Sequence, residues 1–224
     1  MGSNILSLTG ADAASRFLGF FAVAYLARTV GPEGMGLLAA GMGILTWGTI
    51  LAEAGLPTLG TRTVATSNAA SMNLVHRFFT TRLVLSLGVL ILFAPILFFT
   101  LDTLRLRNIT LIYLLALFPS ALVLEWVFQG LRKMTILATG RIVAAVSYLF
   151  WVLMFVRSES PIIWIPVGWV ASVVAQSIYL WKQYGGVNET DSTDVPPALN
   201  LIKTAFPLAV AGLVAQVITH FPVV

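Results

Sequence analysis

Cysteine is absent from the sequence. That excludes disulfides, thiolate metal sites and a cysteine nucleophile. Charge is scarce: Asp, Glu, Lys and Arg make up 10% of the residues, against ~25% in a typical soluble domain. Histidine occurs only as His76 and His220, too far apart in the chain to form a spaced ligand pair. There is no zinc-binding HExxH, no phosphate loop and no nucleophile elbow. Gly41-Met42-Gly43 begins like a dinucleotide fingerprint, but it sits inside an apolar run with no strand before it. No basic region precedes the first apolar run, so that run reads as an uncleaved anchor rather than a signal peptide. These absences predict a protein that is not an enzyme and needs no metal or other cofactor.

What is present is apolar. The chain of 224 residues is 58% hydrophobic with a mean hydropathy of +0.92. That exceeds what a soluble core of this size could hide, so lipid is the expected solvent. A membrane-spanning helix needs ~20 apolar residues, whereas a membrane barrel alternates apolar and polar residues in strands of ~10. The unbroken runs here therefore predict an all-α integral membrane protein. The expected spans are 5–30, 35–56, 78–99, 109–128, 135–156, 161–181 and 201–221. Gly31-Pro32 separates the first two, Thr58 to Arg77 is polar, and Pro119 predicts a kink in the fourth. The stretch 182–200 is polar, acidic and carries Pro196-Pro197, which reads as a linker. The expected organisation is a six-helix lobe over 1–181, a cytoplasmic linker over 182–200, and over 201–224 a seventh helix opening a second lobe that is cut short.

The net charge of +4 does not imply nucleic acid, because the charges sit singly at the ends of apolar runs. With the N-terminus inside, the inner flanks hold Arg62, Arg77, Arg82, Arg132, Lys133, Arg141, Lys182 and Lys203, against Arg28, Arg105, Arg107 and Arg157 outside. That excess predicts a multi-pass membrane protein with its N-terminus on the cytoplasmic side.

Ionisable groups inside a bilayer cost ~2.5–3.5 kcal/mol each and face a partner or a water-filled cavity. Asp12 and Arg16 are four residues apart on one helix face, spaced to pair with each other. Glu53 and Glu125 lie near the inner ends of the second and fourth spans. With Arg62, Arg82, Gln129, Arg132 and Arg141 they predict a charged cluster in the inner half of the bundle. A cationic cavity suits phosphate, because guanidinium offers forked donors. Two patterns read as packing. Small residues four apart (Ala11, Ser15, Gly19; Gly36, Ala40; Ala39, Gly43) predict close helix approach. Trp126, Trp164 and Trp181 read as interfacial anchors, Trp47 and Trp151 as core.

The junction Tyr25-Leu26-Ala27-Arg28-Thr29-Val30-Gly31-Pro32-Glu33-Gly34-Met35-Gly36 resembles the one joining the first two helices of bacterial polysaccharide and O-antigen flippases, in the multidrug/oligosaccharidyl-lipid/polysaccharide exporter superfamily. Glu53 to Arg62 resembles the end of their second helix, Phe128 to Met134 the loop after their fourth, and Phe206-Pro207-Leu208 the start of their seventh. The resemblance implies part of a transporter of about twelve to fourteen helices whose two lobes alternate access around a central site. Its implied substrate is a polyprenyl-diphosphate-linked oligosaccharide, moved for surface polysaccharide such as lipopolysaccharide or exopolysaccharide. Its implied partners are membrane lipid, a second lobe, and the polysaccharide polymerase and glycosyltransferases of the same route.

On that reading Arg16, Arg62, Arg82 and Arg141 contact the diphosphate. Asp12, Glu53, Glu125 and Gln129 tune those arginines or couple to an ion gradient. Two alternatives compete. A cation-coupled multidrug antiporter of the same superfamily needs acids without matching arginines. A membrane-embedded glycosyl- or phosphotransferase needs a metal-holding acidic loop, and the nearest match is Glu189, Asp191 and Asp194.

Overall fold

A computed structural model of the chain describes residues 2–67, 70–101 and 103–185, with 204, 205 and 207. It is all-helical among these. The helices are α1 (Gly2–Glu53), α2 (Leu56–Ser67), α3 (Met72–Thr100), α4 (Leu104–Leu115), α5 (Leu117–Ala121), α6 (Glu125–Gly130), α7 (Met134–Phe155) and α8 (Trp164–Tyr184). Four segments are long and apolar enough to cross a membrane: Asp12–Glu53, Met72–Thr100, Met134–Phe155 and Trp164–Tyr184. The outward faces of these helices carry large apolar side chains such as Phe20, Val84, Ile91 and Phe150, as a lipid-facing surface requires. The expected linker and seventh span, and with them Glu189, Asp191 and Asp194, lie almost wholly outside the described residues.

The first segment is two passes, not one. A straight helix of 42 residues would run about 63 Å at 1.5 Å per residue, twice a bilayer's ~30 Å hydrocarbon core. The chain instead turns back at Gly31, whose φ of 73° and ψ of 178° are non-helical. The outcome is visible at the two tips. Asp12 bonds Arg141, Arg141 bonds Glu125, and Glu125 lines the same cavity as Glu53. Residues 2–30 and 32–53 are therefore antiparallel arms, as Gly31-Pro32 predicts. Pro32 opens the second arm, where its missing N–H costs nothing.

The backbone at Gly31 lies in a region essentially reserved for glycine, where a side chain adds about 1–3 kcal/mol of strain. No atom stands within 4 Å of where a Cβ would be, so the penalty is conformational alone. Gly31→Ala is expected to lower thermal stability by that amount. Gly19→Ala, on the same helix with equally open space, is expected to leave it unchanged or raise it. Equal melting temperatures for the two variants would sink this account of the turn.

The fourth pass is broken rather than kinked. It runs as α4, α5 and α6, from Arg105 beside the hairpin turn to Gly130 against Val64 and Thr61 at the far end. Such a break is tolerated in lipid only where neighbours satisfy the freed carbonyls. Here they do. Ser86 donates to Leu117 O at 3.2 Å, Ser177 to Pro119 O at 3.1 Å and Trp181 Nε1 to Leu122 O at 2.9 Å. Arg82 Nη1 donates to Val123 O at 3.3 Å, and Thr61 Oγ1 to Trp126 O at 3.2 Å.

Several packing expectations change. The polar stretch 58–77 is mostly helical: α2 follows α1 through Ala54 and Gly55, both at positive φ. Gly60 of α2 lies so close to Trp126 that a Cβ there would stand 2.5 Å from the ring. Trp126 is accordingly core, 3% exposed and stacked on Phe78, not an interfacial anchor. Trp47, expected in the core, is 47% exposed. The small-residue stripes do not supply the close contacts, since nothing approaches Gly19, Gly36 or Gly43. Gly41 and Gly48, seven apart, do so instead against Tyr113, Ile109 and Leu114 of α4.

Candidate functional site

The break in the fourth pass creates the site. It lets α5 and α6 stand away from the second arm of α1, opening a cavity of about 690 Å³ walled by α1, α3, α5, α6 and α8. Thr46, Thr49 and Glu53 come from α1, Arg82 from α3, Ser120 from α5, Glu125 and Gln129 from α6, and Gln176 from α8. Trp126, Trp169, Met42 and Pro57 supply apolar wall.

Two ion-pair systems line or flank it. Arg82 Nη2 meets Glu53 Oε1 at 3.1 Å, with side chains 5% and 38% exposed. The same guanidinium holds the Val123 carbonyl, so it is pinned from two sides. Arg141 Nη2 meets Glu125 Oε2 at 3.0 Å, and its Nη1 meets Asp12 Oδ1 at 2.9 Å. Gln176 Nε2 donates to Glu125 Oε1 at 2.6 Å. Glu125 thus ties α6 to α7 and α8 through one carboxylate, and Arg141 carries the link on to Asp12 of the first arm. Its place in the first turn of α6 adds the favourable field of a helix start.

The expected residues sort into three groups. Glu53, Arg82, Glu125 and Gln129 line the cavity. Asp12 and Arg141 flank it, linked through Glu125. Arg16 and Arg62 are exposed and stand away from it. Asp12 does not pair with Arg16 as its spacing suggests. Its carboxylate reaches Arg141 at 2.9 Å instead, since a flexible pair four residues apart on a helix is worth only ~0.2–0.5 kcal/mol. Among the described residues Arg16 carries no ion pair.

The reading of the residues missed Gln176, and the signal was there: an amide alone in the apolar run of α8. Ser120, Thr46 and Thr49 carried no such mark, since each is a hydroxyl that commonly bonds its own helix. Thr46 and Thr49 do this to Met42 O and Leu45 O.

The electrostatics correct a second expectation. The cluster is not simply cationic. Asp12, Glu53 and Glu125 meet Arg82 and Arg141, so in formal charge three carboxylates face two guanidiniums. An anion entering the cavity would have to displace a carboxylate from arginine. Glu53 is the one placed to yield, because it is half-exposed into the cavity while Arg82 is buried.

A second polar cavity of about 560 Å³ opens at the hairpin-turn end, lined by Glu33, Arg105, Asn108, Ser158 and Ser160. No three His, Asp or Glu side chains are grouped to hold a metal among the described residues.

The family model described as polysaccharide biosynthesis protein matches residues 1–224 of this chain. No curated protein and no solved structure matches it.

Proposed function

The chain belongs to the polysaccharide biosynthesis protein family, and from that premise we propose that it forms part of a flippase for polyprenyl-diphosphate-linked oligosaccharide in the bacterial inner membrane, with its N-terminus cytoplasmic. The observation that carries the reading is Arg82, buried on a helix long and apolar enough to cross a membrane, on the wall of a polar cavity and neutralised by a carboxylate that faces that cavity. Guanidinium binds phosphate oxygens as it binds carboxylate, through paired donors. The diphosphate displaces Glu53 from Arg82, and the released carboxylate takes up a proton or cation. This exchange couples substrate entry to an ion gradient without leaving a bare charge in the membrane.

A second lobe packs against the face that carries Arg16. This arginine lies 15 residues from the turn at Gly31, so about 22 Å along the arm, and is exposed on a segment that spans the membrane. An uncovered guanidinium at that depth is costly. A partner lobe, with the substrate between, removes the cost.

Arg16→Ala is expected to abolish surface polysaccharide when the intact gene is expressed in a strain lacking its own flippase, with membrane levels of the protein unchanged. The side chain is exposed and unpaired among the described residues, so its loss leaves the fold alone. Normal polysaccharide in that strain would overturn the assignment.

One observation favours a second reading. The excess of one carboxylate over guanidinium in the cluster suits an organic cation, as in a cation-coupled multidrug antiporter. Ethidium efflux from cells expressing the chain, absent from cells expressing its Glu125→Gln variant, would select that reading.

A further inference from the structure

The cavity of about 560 Å³ at the hairpin-turn end takes no part in the site described above. Three connections wall it: the turn at Gly31 with the start of the second arm, the first two turns of α4, and the loop between α7 and α8. Each is the end of a pass, so the cavity stands at the membrane boundary. The aromatic rings beside it agree. Trp164 follows the loop and stacks on Phe155 with ring centroids 5.9 Å apart, and its carbonyl accepts from Trp151 Nε1 at 2.9 Å. Tryptophan gathers at the headgroup level of a bilayer.

The polar side chains of this cavity are balanced in sign and not used up on one another. Glu33 and Arg105 both line it, yet neither is in an ion pair among the described residues. The two charges therefore face one space without cancelling. Both residues are exposed, as a site filled from the membrane surface requires. The side chains of Asn108 and Ser158, on the same wall, make no hydrogen bond among the described residues. Ser160 Oγ accepts from Arg157 N at 3.1 Å and keeps its own proton to donate. Ser160 N in turn bonds Arg157 O at 2.9 Å, so the loop that carries the serines is held by its own bonds. Much of the remaining wall is aliphatic, including Leu37, Ile109 and Ile162.

We propose that this cavity binds the head of an ethanolamine phospholipid, with Glu33 holding the ammonium and Arg105 the phosphate. One acid and one base make the wall neutral, so a neutral head that carries both signs satisfies it. An anionic head would bring its charge to Glu33 and a cationic one to Arg105, and like charges at close quarters cost affinity. Arg105 offers forked donors to phosphate oxygens. It stands in the first turn of α4, whose N-terminal end favours an anion and whose cap residue, Thr103, makes no side-chain bond to it. Asn108 and the two serines donate to the remaining phosphate and ester oxygens. The volume falls within the ~300–1,000 Å³ of small-molecule pockets, enough for the head and glycerol, while the acyl chains stay in the surrounding lipid. Bound there, the head ties together the starts of the second, fourth and sixth passes. The inference goes beyond the transport reading and does not depend on it, since it needs only a membrane.

The test takes the purified chain through vesicles of equimolar phosphatidylethanolamine and phosphatidylglycerol and identifies, by native mass spectrometry, the lipid that stays bound after delipidation. One phosphatidylethanolamine per chain is expected, retained in preference to phosphatidylglycerol. Glu33→Gln and Arg105→Gln should each cut that retention about tenfold, the loss of one charge-assisted contact. Neither side chain bonds another residue among those described, so neither variant removes a contact that holds the fold. Arg107→Gln is the control. Its guanidinium lies 4.6 Å over the Phe98 ring and does not line the cavity, so retention should match wild type. Equal retention of the two lipids would overturn the proposal. So would wild-type retention in both cavity variants, or an equal loss in Arg107→Gln. Binding is read without transport, so a chain that keeps the lipid yet fails to restore polysaccharide refutes the flippase reading alone.

Discussion

Arg82→Ala is expected to destabilise the protein by about 3 kcal/mol, the lower end of the cost of breaking a buried ion pair by removing one partner. The lower end applies because Glu53 is 38% exposed and can rehydrate from the cavity. Two groups lose their donor at once. Glu53 loses its counter-charge, and the Val123 carbonyl loses the side chain that, among the described residues, alone reaches it where the helix is broken. Arg82→Lys should fall between wild type and alanine, since a single ammonium can hold one of the two acceptors but not both in the forked geometry. The combination Glu53→Gln with Arg82→Ala should recover part of the loss, because it no longer strands a charge. Thermal unfolding in lipid of wild type, Arg82→Ala, Glu53→Gln and their combination gives the coupling energy by a double-mutant cycle. An Arg82→Ala variant within about 0.5 kcal/mol of wild type, the range of an ordinary surface change, would mean that the pair does not organise the break.

Which features could be read ahead of the coordinates depends on the range of the forces behind them. The hairpin was legible because its cause is local: only glycine takes the backbone of Gly31, and only the first turn of a helix accepts Pro32. Arg82, Arg141, Glu53 and Glu125 were legible as a group because a charge in an apolar run is conspicuous whatever its partner. Their pairing was not. Spacing along a helix reports neighbours four residues away, and Asp12 chose a partner 129 residues away.

The break in the fourth pass was half-legible. Pro119 marked its centre, but its extent to Leu124 depends on donors from α2, α3 and α8, which no local pattern contains. The same holds for the glycines. Gly36 and Gly43 form a conspicuous small-residue stripe with their neighbours, yet the second arm turns Gly41 and Gly48 toward α4. Which stripe is used is decided by the neighbour's side chains, here Tyr113 and Leu114.

On the proposed flippase function, Glu125→Gln is expected to cut transport by roughly tenfold or more, about the 1.5–3 kcal/mol carried by a hydrogen bond to a charged group. The reason is geometric as well as electrostatic. Both oxygens of Glu125 face donors, Arg141 on one side and Gln176 on the other. An amide keeps one acceptor and presents an N–H₂ to whichever donor remains, so one of the two contacts becomes repulsive. If Arg141 keeps the amide oxygen, α8 loses its tie to α6. If Gln176 keeps it, Arg141 is left to Asp12 alone and the first arm loses its link to the cavity.

Exchanging the groups discriminates this from a general loss of structure. Glu125→Gln combined with Gln176→Glu returns a carboxylate to the amide's N–H₂ and leaves the amide oxygen to Arg141. Total charge in the cluster is unchanged and every donor again has an acceptor. That pair should regain most of the lost rate in a proteoliposome assay with a fluorescent lipid-linked sugar, and membrane levels of all three proteins should match. Wild-type transport by the single variant, or a paired variant no better than the single one, would show that Glu125 does not hold the three helices together through these bonds. Rescue would place the coupling between the cavity and the α8 wall in one carboxylate–amide contact, the contact that must rearrange whenever α8 moves relative to the break.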